Sequence, residues 1–137
     1  MRKVTMIILL LATSNAMAGW TKLEDPNAIG FTLYANHGFL SHKGASKVKM
    51  QHLINLDTQG RTSNGQTYLS RKELVEYDCD EEHYRVLAYS LFTGAMGRGK
   101  IVGFSTFVEL WQPVEFNTLE ETLWKVACDK PGIMQHD

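Results

Sequence analysis

The chain has 137 residues, of which 44% are hydrophobic, 21% charged and 10% aromatic. That length argues for one domain, and the composition excludes the low-hydrophobicity profile of a disordered chain. Lys plus Arg is 14 and Asp plus Glu is 15, a formal charge of −1, so no strongly basic character signals a nucleic-acid binder. The two cysteines are too few for a Cys-only structural zinc site.

Residues 1–18 read as an export signal. Arg2 and Lys3 form a positive start, Val4 to Ala12 (VTMIILLLA) is an apolar run, and Ala16-Met17-Ala18 is a small-residue cleavage site. The run is too short to cross a bilayer, which takes roughly 20 apolar residues. Every later apolar run is broken by charge within a few residues, so no membrane span is expected. The expected organisation is therefore a signal over 1–18 and one mature domain over 19–137. Position 19 is Gly, not the Cys that carries a lipoprotein's lipid. The expected product is exported, periplasmic or extracellular, and not lipid-anchored. Losing Arg2 and Lys3 leaves 12 basic against 15 acidic side chains. In an oxidising compartment Cys79 and Cys128 most simply form one disulfide; two buried free thiols are the alternative.

Trp20 to Gly30 contains Pro26 and Gly30 and reads as an irregular start. Phe31 to Asn36 alternates and is rich in strand formers, which predicts a first strand. His37-Gly38 breaks it, and Phe39 to Lys47 reads as a turn with short flanking strands. Val48 to Leu56 predicts a strand with Val48, Met50, His52, Ile54 and Leu56 on one face. The stretch from Asp57 to Gln66 carries the densest turn chemistry, including Asn64-Gly65, where both residues accept positive φ. Thr67 to Cys79 is a long strand with Leu69, Val75, Tyr77 and Cys79 on one parity. Asp80-Glu81-Glu82 is an acidic turn. His83 to Thr93 is another strand, with Tyr84, Val86, Ala88 and Phe92 on one face. Gly94 to Gly99 reads as a flexible connection and Ile101 to Leu110 as the last strand. Thr118 and Glu121 form a capping box that opens a helix of about ten residues. Its apolar stripe is Leu119, Thr122, Leu123, Val126 and Ala127, and Pro131-Gly132 stops it.

Strands first and one helix last predict an α+β fold. The expected architecture is a single antiparallel β-sheet of about five or six strands with one C-terminal α-helix packed on it. Cys79 ends a central strand and Cys128 lies in the last helical turn, so their bond would tether the helix to the sheet.

The order of these residues resembles a known family. Trp20, then Glu76-Tyr77-Asp78-Cys79, then Tyr84-Arg85, a Gly-rich loop, a capped helix and Cys128 look like the surface-adhesin protein E-like domain of small exported bacterial proteins. The resemblance spans Trp20 to Asp129. It implies an antiparallel sheet whose C-terminal helix is disulfide-tethered to it, and a role in adhesion at the host surface. The family's name comes from a lipoprotein, and this chain departs from that pattern at position 19.

Candidate chemistry is sparse. His37 and His42 could approach each other, but a metal site usually needs three or more ligands and no third has recognisable spacing. Gly94 to Lys100 lacks the Ser or Thr and the following helix of a phosphate loop. No serine lies in a G-x-S-x-G elbow. The acids Glu76, Asp78, Asp80, Glu81 and Glu82 surround a turn and read as a solvated edge, with Asp78 capping the turn. Trp111 and Phe116 read as a staple against Leu119 or Leu123. The expectation is no catalytic residue, no cofactor and no metal. The basic stretch His42, Lys43, Lys47 and Lys49, together with Arg98 in the Gly-rich loop, is the expected binding surface for an acidic partner, because loops displayed on a rigid sheet commonly carry recognition. The expected function is a secreted, non-catalytic binding domain of the bacterial cell envelope that contacts host or envelope proteins. The alternatives are a periplasmic structural or stress-related protein and a small metal-binding protein.

Overall fold

The structure is a computed structural model, and it describes residues 19–36 and 46–129. Its strands are β1 (Trp20–Leu23), β2 (Phe31–Asn36), β3 (Lys47–Arg61), β4 (Thr67–Asp78), β5 (His83–Phe92), β6 (Ile101–Ser105) and β7 (Gln112–Pro113). They are followed by the helix α1 (Leu119–Cys128). The first six lie side by side in chain order, each antiparallel to the next. β7 pairs with the opposite half of β5 from β6.

Period-2 alternation decides what each face holds. In β3 and β4, Val48 pairs with Tyr77, Met50 with Val75 and His52 with Glu73, so these six share one face. α1 closes over that face. Its Leu123, Trp124 and Ala127 pack on Leu33, Ala35, Met50, Val75 and Tyr77 to form the core. The helix begins at the expected capping box: Thr118 Oγ1 accepts from the Glu121 N–H at 3.3 Å, and Glu121 Oε1 accepts from the Asn117 N–H at 3.4 Å.

Three links hold α1 to the sheet. Cys79 and Cys128 are bonded, with their Cα atoms 5.6 Å apart. Trp124 Nε1 donates to the Asp78 carbonyl at 2.8 Å. Thr122 Oγ1 bonds Asp25 in the β1–β2 connection.

Four local expectations change. The segment before Phe31 contains a real strand, β1; Pro26 and Gly30 shape only the connection, where Gly30 has φ 84°. In the β3–β4 turn only Gly65 has positive φ, and its N–H bonds the Thr62 carbonyl at 3.0 Å. In β5, Val86 pairs with Val75 but Ala88 pairs with Leu74, so Leu87 is an extra residue. A one-residue slip turns every later side chain to the other face. Tyr84 and Val86 therefore face α1, while Phe92, opposite Ser70, faces away. The last strand is also shorter than expected, because it leaves the ladder after Ser105 and rejoins β5 only at Gln112.

The disulfide closes a loop between positions 49 apart. On the chain-entropy estimate that link contributes about 4 kcal/mol. Replacing both cysteines by Ala is expected to lower the unfolding free energy by about 2–5 kcal/mol, read as a fall in the urea midpoint. Non-reducing peptide mapping of the exported protein should find Cys79 and Cys128 in one linked pair.

Candidate functional site

The face away from α1 carries the expected binding residues, as far as the structure describes them. His42, Lys43 and His37 lie outside the described residues. Lys47 and Lys49 are exposed on β3. They do not stand as an unopposed basic patch. Lys47 Nζ lies 3.8 Å from Asp78 Oδ2, and Lys49 sits directly across from Glu76 in the register. Glu76 in turn holds Arg85, with Nη2 to Oε1 at 2.7 Å. The Arg85 guanidinium stacks 4.3 Å above the Trp111 ring. The row runs Lys, acid, Arg, aromatic across three strands, and opposite charges placed across strands stabilise the pairing.

Asp78 caps the acidic turn as expected, but the five acids are not all a solvated edge, because Glu76 and Asp78 are buried. Asp78 Oδ1 accepts from the Asp80 and Glu81 N–H groups, each at 3.1 Å. Asp78 thus caps the turn and meets Lys47 on its other oxygen. Phe116 departs from its expected role. It is 86% exposed, and Val114 packs against the core in its place.

The Gly-rich connection is tied down rather than loose. A single 3-10 turn, Ala95–Gly97, folds back over the outer face. Ser70 is buried beneath it, donating to the Gly94 carbonyl at 2.6 Å and accepting from the Gly97 N–H at 2.9 Å. Asn55 Oδ1 accepts from the Met96 N–H at 2.7 Å. These bonds hold Met96 in the left-handed region, φ 58° and ψ 34°. The buried Leu53 lies under the same turn. Arg98 follows the turn and is exposed. Ser70 and Asn55 sit at strand positions with no motif around them, so only the folded register brings them under the loop.

Beyond the turn the surface changes character. Ile101, Phe104, Phe107, Val108 and Leu110 are all exposed, from 48% to 86%. Gln66 and residues 101–104 line a shallow groove. Reading this stretch as one last strand concealed the exposure of its aromatic residues.

Under α1 the structure places a polar seam. His52 is fully enclosed, and its Nε2 lies 2.6 Å from the Tyr77 hydroxyl. Its Nδ1 has no partner among the described residues. Burial lowers the imidazole to about 3. Burial pushes the neighbouring Glu73 carboxyl up; Arg71, 2.9 Å away, opposes this, and the charges of Glu109 and Glu120 add to it. Tyr77 is raised well above the usual phenol range, chiefly by burial. A neutral imidazole bonded to a neutral phenol suits a core. No group of three His, Cys, Asp or Glu side chains among the described residues is placed to hold a metal ion.

The sequence profile of the Surface-adhesin protein E family matches residues 20–129. The chain belongs to the surface-adhesin protein E family. Among solved structures, the selenomethionine form of Haemophilus influenzae protein E is similar, at 10% identity and a TM-score of 0.63, with 82% of this chain and 88% of that one covered. Crystal form II of Haemophilus influenzae protein E gives 13% identity and a TM-score of 0.60, covering 80% and 96%. Protein E from non-typeable Haemophilus influenzae gives 12% and 0.62, covering 82% and 76%. At these identities the likeness is one of fold. No curated protein sequence matches the chain.

The residues that carry the family resemblance have a common task here. Tyr77 is core, the Asp78 carbonyl receives Trp124, Cys79 is bonded to α1, and Tyr84 and Arg85 pair with Tyr77 and Glu76 in the next strand. The protein E motif in this chain is thus the fastening of helix to sheet.

The seam sets a pH response. Unfolded, His52 titrates near 6.5; folded, it accepts a proton only near 3. Between those values the unfolded chain binds the extra proton. This contribution to stability is complete above pH 6.5 and is lost as pH falls, by up to about 1.4 kcal/mol per pH unit. Glu73 has the opposite sign: its raised carboxyl costs stability as pH rises through its unfolded value of 4.5. His52→Gln keeps a polar partner for Tyr77 and cannot titrate. Wild type is expected to lose about 2 kcal/mol relative to this variant between pH 7 and pH 5, measured by urea unfolding. A difference that stays constant with pH refutes the assignment.

Proposed function

We propose that this chain is an exported, non-catalytic binding domain of the bacterial envelope that contacts host or envelope proteins. The observation that carries this reading is the match to the surface-adhesin protein E family over residues 20–129. A bonded cysteine pair suits an oxidising compartment. No helix among the described residues is long and apolar enough to cross a membrane. The signal over residues 1–18, with cleavage after Ala18 and Gly as the following residue, supports release without a lipid anchor.

The sheet is a rigid display for two exposed regions at opposite ends of the central strands. One is the start of β3, where Lys47 and Lys49 are exposed; with His42 and Lys43, which precede them in the sequence, they are the proposed contacts for an acidic partner. The other is the loop ending in Arg98 and the apolar stretch after it. The disulfide, the Trp124 bond and the buried Ser70 hold both regions on one scaffold.

Mass analysis of exported protein should give an N-terminus at Gly19. Beads coated with the domain should adhere to epithelial cells or to isolated bacterial envelopes above blank beads. Reversing Lys43, Lys47 and Lys49 to Glu should weaken adhesion to an acidic partner, most clearly at low salt where exposed charges are least screened. Coated beads that adhere no better than blank beads to either surface would overturn the reading.

A further inference from the structure

The two edges of the sheet are not alike. β1 is four residues long, carries Lys22 paired with Glu24 at 3.4 Å, and is followed by Pro26. Short length, charge and nearby proline are the usual means of keeping an edge from pairing. β6 is also short, at five residues, and Val102 is an extra residue against β5, but it has neither of the chemical guards. Its sequence is IVGFS, with neither charge nor proline, and it is bonded to β5 alone among the described residues. Its outer row of N–H and C=O groups therefore lacks a strand partner. Ile101 is 57% exposed and Phe104 73%. An uncapped edge with large exposed apolar side chains is a template for another strand.

Charge at this end of the sheet says which strand. Lys22, Lys47, Arg71, Arg85 and Lys125 each pair with a carboxylate. Arg61, Lys72, Arg98 and Lys100 pair with no carboxylate among the described residues, and two of them, Arg98 and Lys100, immediately precede β6. Lys72 lies in one row with Ser90 and Phe104, its Nζ 5.5 Å from the centre of the Phe92 ring. Arg61 stands opposite Thr67, next to Gln66, which lines the groove beside Ile101–Phe104.

We propose that β6 receives an extended, acidic segment of a partner protein as an added strand, its backbone bonding the free edge. Side chains on one face of the added strand would meet Ile101 and Phe104, and its carboxylates would meet Arg98 and Lys100 at the start of β6. Main-chain bonds supply affinity in this mode of recognition, and side chains on alternate positions supply specificity. An anionic lipid surface would satisfy the cations but offers no row of backbone partners. A second copy of this chain would offer an edge but would bring a second set of unmatched cations to the same seam. The inference rests on the reading of this chain as a protein-binding domain and assigns the surface that does it.

The probe is a labelled heptapeptide alternating glutamate with valine, titrated into the mature domain and followed by fluorescence anisotropy. A heptapeptide alternating lysine with valine is the control. Binding of the acidic peptide alone is expected. It should weaken about tenfold in the variant Arg98→Glu/Lys100→Glu, and also in Phe104→Ser. All three positions are exposed, and circular dichroism checks that the variants stay folded. Amide hydrogen exchange should slow across residues 101–105 on peptide binding and stay unchanged in β1. Equal binding by wild type and the double variant, or slowed exchange elsewhere than β6, overturns the proposal. So does capture of phosphatidylglycerol vesicles without peptide binding. Protection of β6 that rises with protein concentration in the absence of peptide overturns it too, in favour of a second copy. Coated-bead adhesion, run beside these assays, separates the two readings. Undiminished adhesion by the double variant removes β6 from the binding surface and leaves the domain a binder. Loss of adhesion by wild type removes the binding reading itself.

Discussion

The fastening of α1 to the end of β4 is the constraint on which the rest depends. A helix of ten residues is marginal on its own in water. A sheet with one large apolar face cannot leave that face wet. Each solves the other's problem only if they stay in register. The structure spends three consecutive residues on this: Tyr77 fills the core, the Asp78 carbonyl receives the Trp124 indole, and Cys79 bonds Cys128. Asp25 and Asn27, in the β1–β2 connection, hold the other end of the helix through Thr122 and Asn117. The helix is thus fixed at both ends and cannot roll on the sheet.

The two faces of the sheet are covered by different means. One is buried under α1 and is apolar except for the His52–Tyr77 pair and the Arg71–Glu73 ion pair. The other has no helix. Near the β6 end it is roofed by its own Gly-rich connection, pinned through Ser70 and Asn55. Near the β4–β5 turn it is laid out as cross-strand ion pairs ending in the Arg85–Trp111 stack. Covering one face with a short loop requires a backbone that accepts positive φ, which Met96 and Gly97 supply. The outcome is a thin, stiff platform whose outer surface is solvated in one half and apolar along one edge.

Much of this was legible in the sequence because most of β3 and β4 alternates, with Leu53 and Leu74 as apolar exceptions on the other face. Val48, Met50, His52 and Ile54 against Val75 and Tyr77 define the buried face without any structure, and the Thr118–Glu121 box marks the helix. The slip at Leu87 was not legible. His83–Thr93 is apolar at both parities, so nothing in the pattern marks where the register changes, and Phe92 was placed on the wrong face. Phe116 looked like a staple because it precedes a helix; its exposure follows from Val114 reaching the core first. The candidate surface was legible only in part. Lys47 and Lys49 were visible as charges, but their opposition by Asp78 and Glu76 is a property of the register between positions 31 and 27 residues apart in the chain, which a single sequence does not display. Arg98 was visible for the opposite reason: it has no such opposing acid, and it sits in a connection whose glycines mark it as a loop.

The strand order has a consequence for how such a protein can be made. The first six strands follow one another in space as they do in the chain, so each pairing closes a short loop, and low separation between contacts favours fast assembly. A chain that emerges N-terminus first can therefore build its sheet one hairpin at a time. The contacts that span the chain are those of α1, and these arrive last. Until Cys128 is through, the apolar face of the sheet has no cover, and Cys79 waits as a single thiol at the end of a finished strand. Oxidation then acts as the closing step of a sequential assembly, and the window in which that face stands open is as long as the last third of the chain takes to follow.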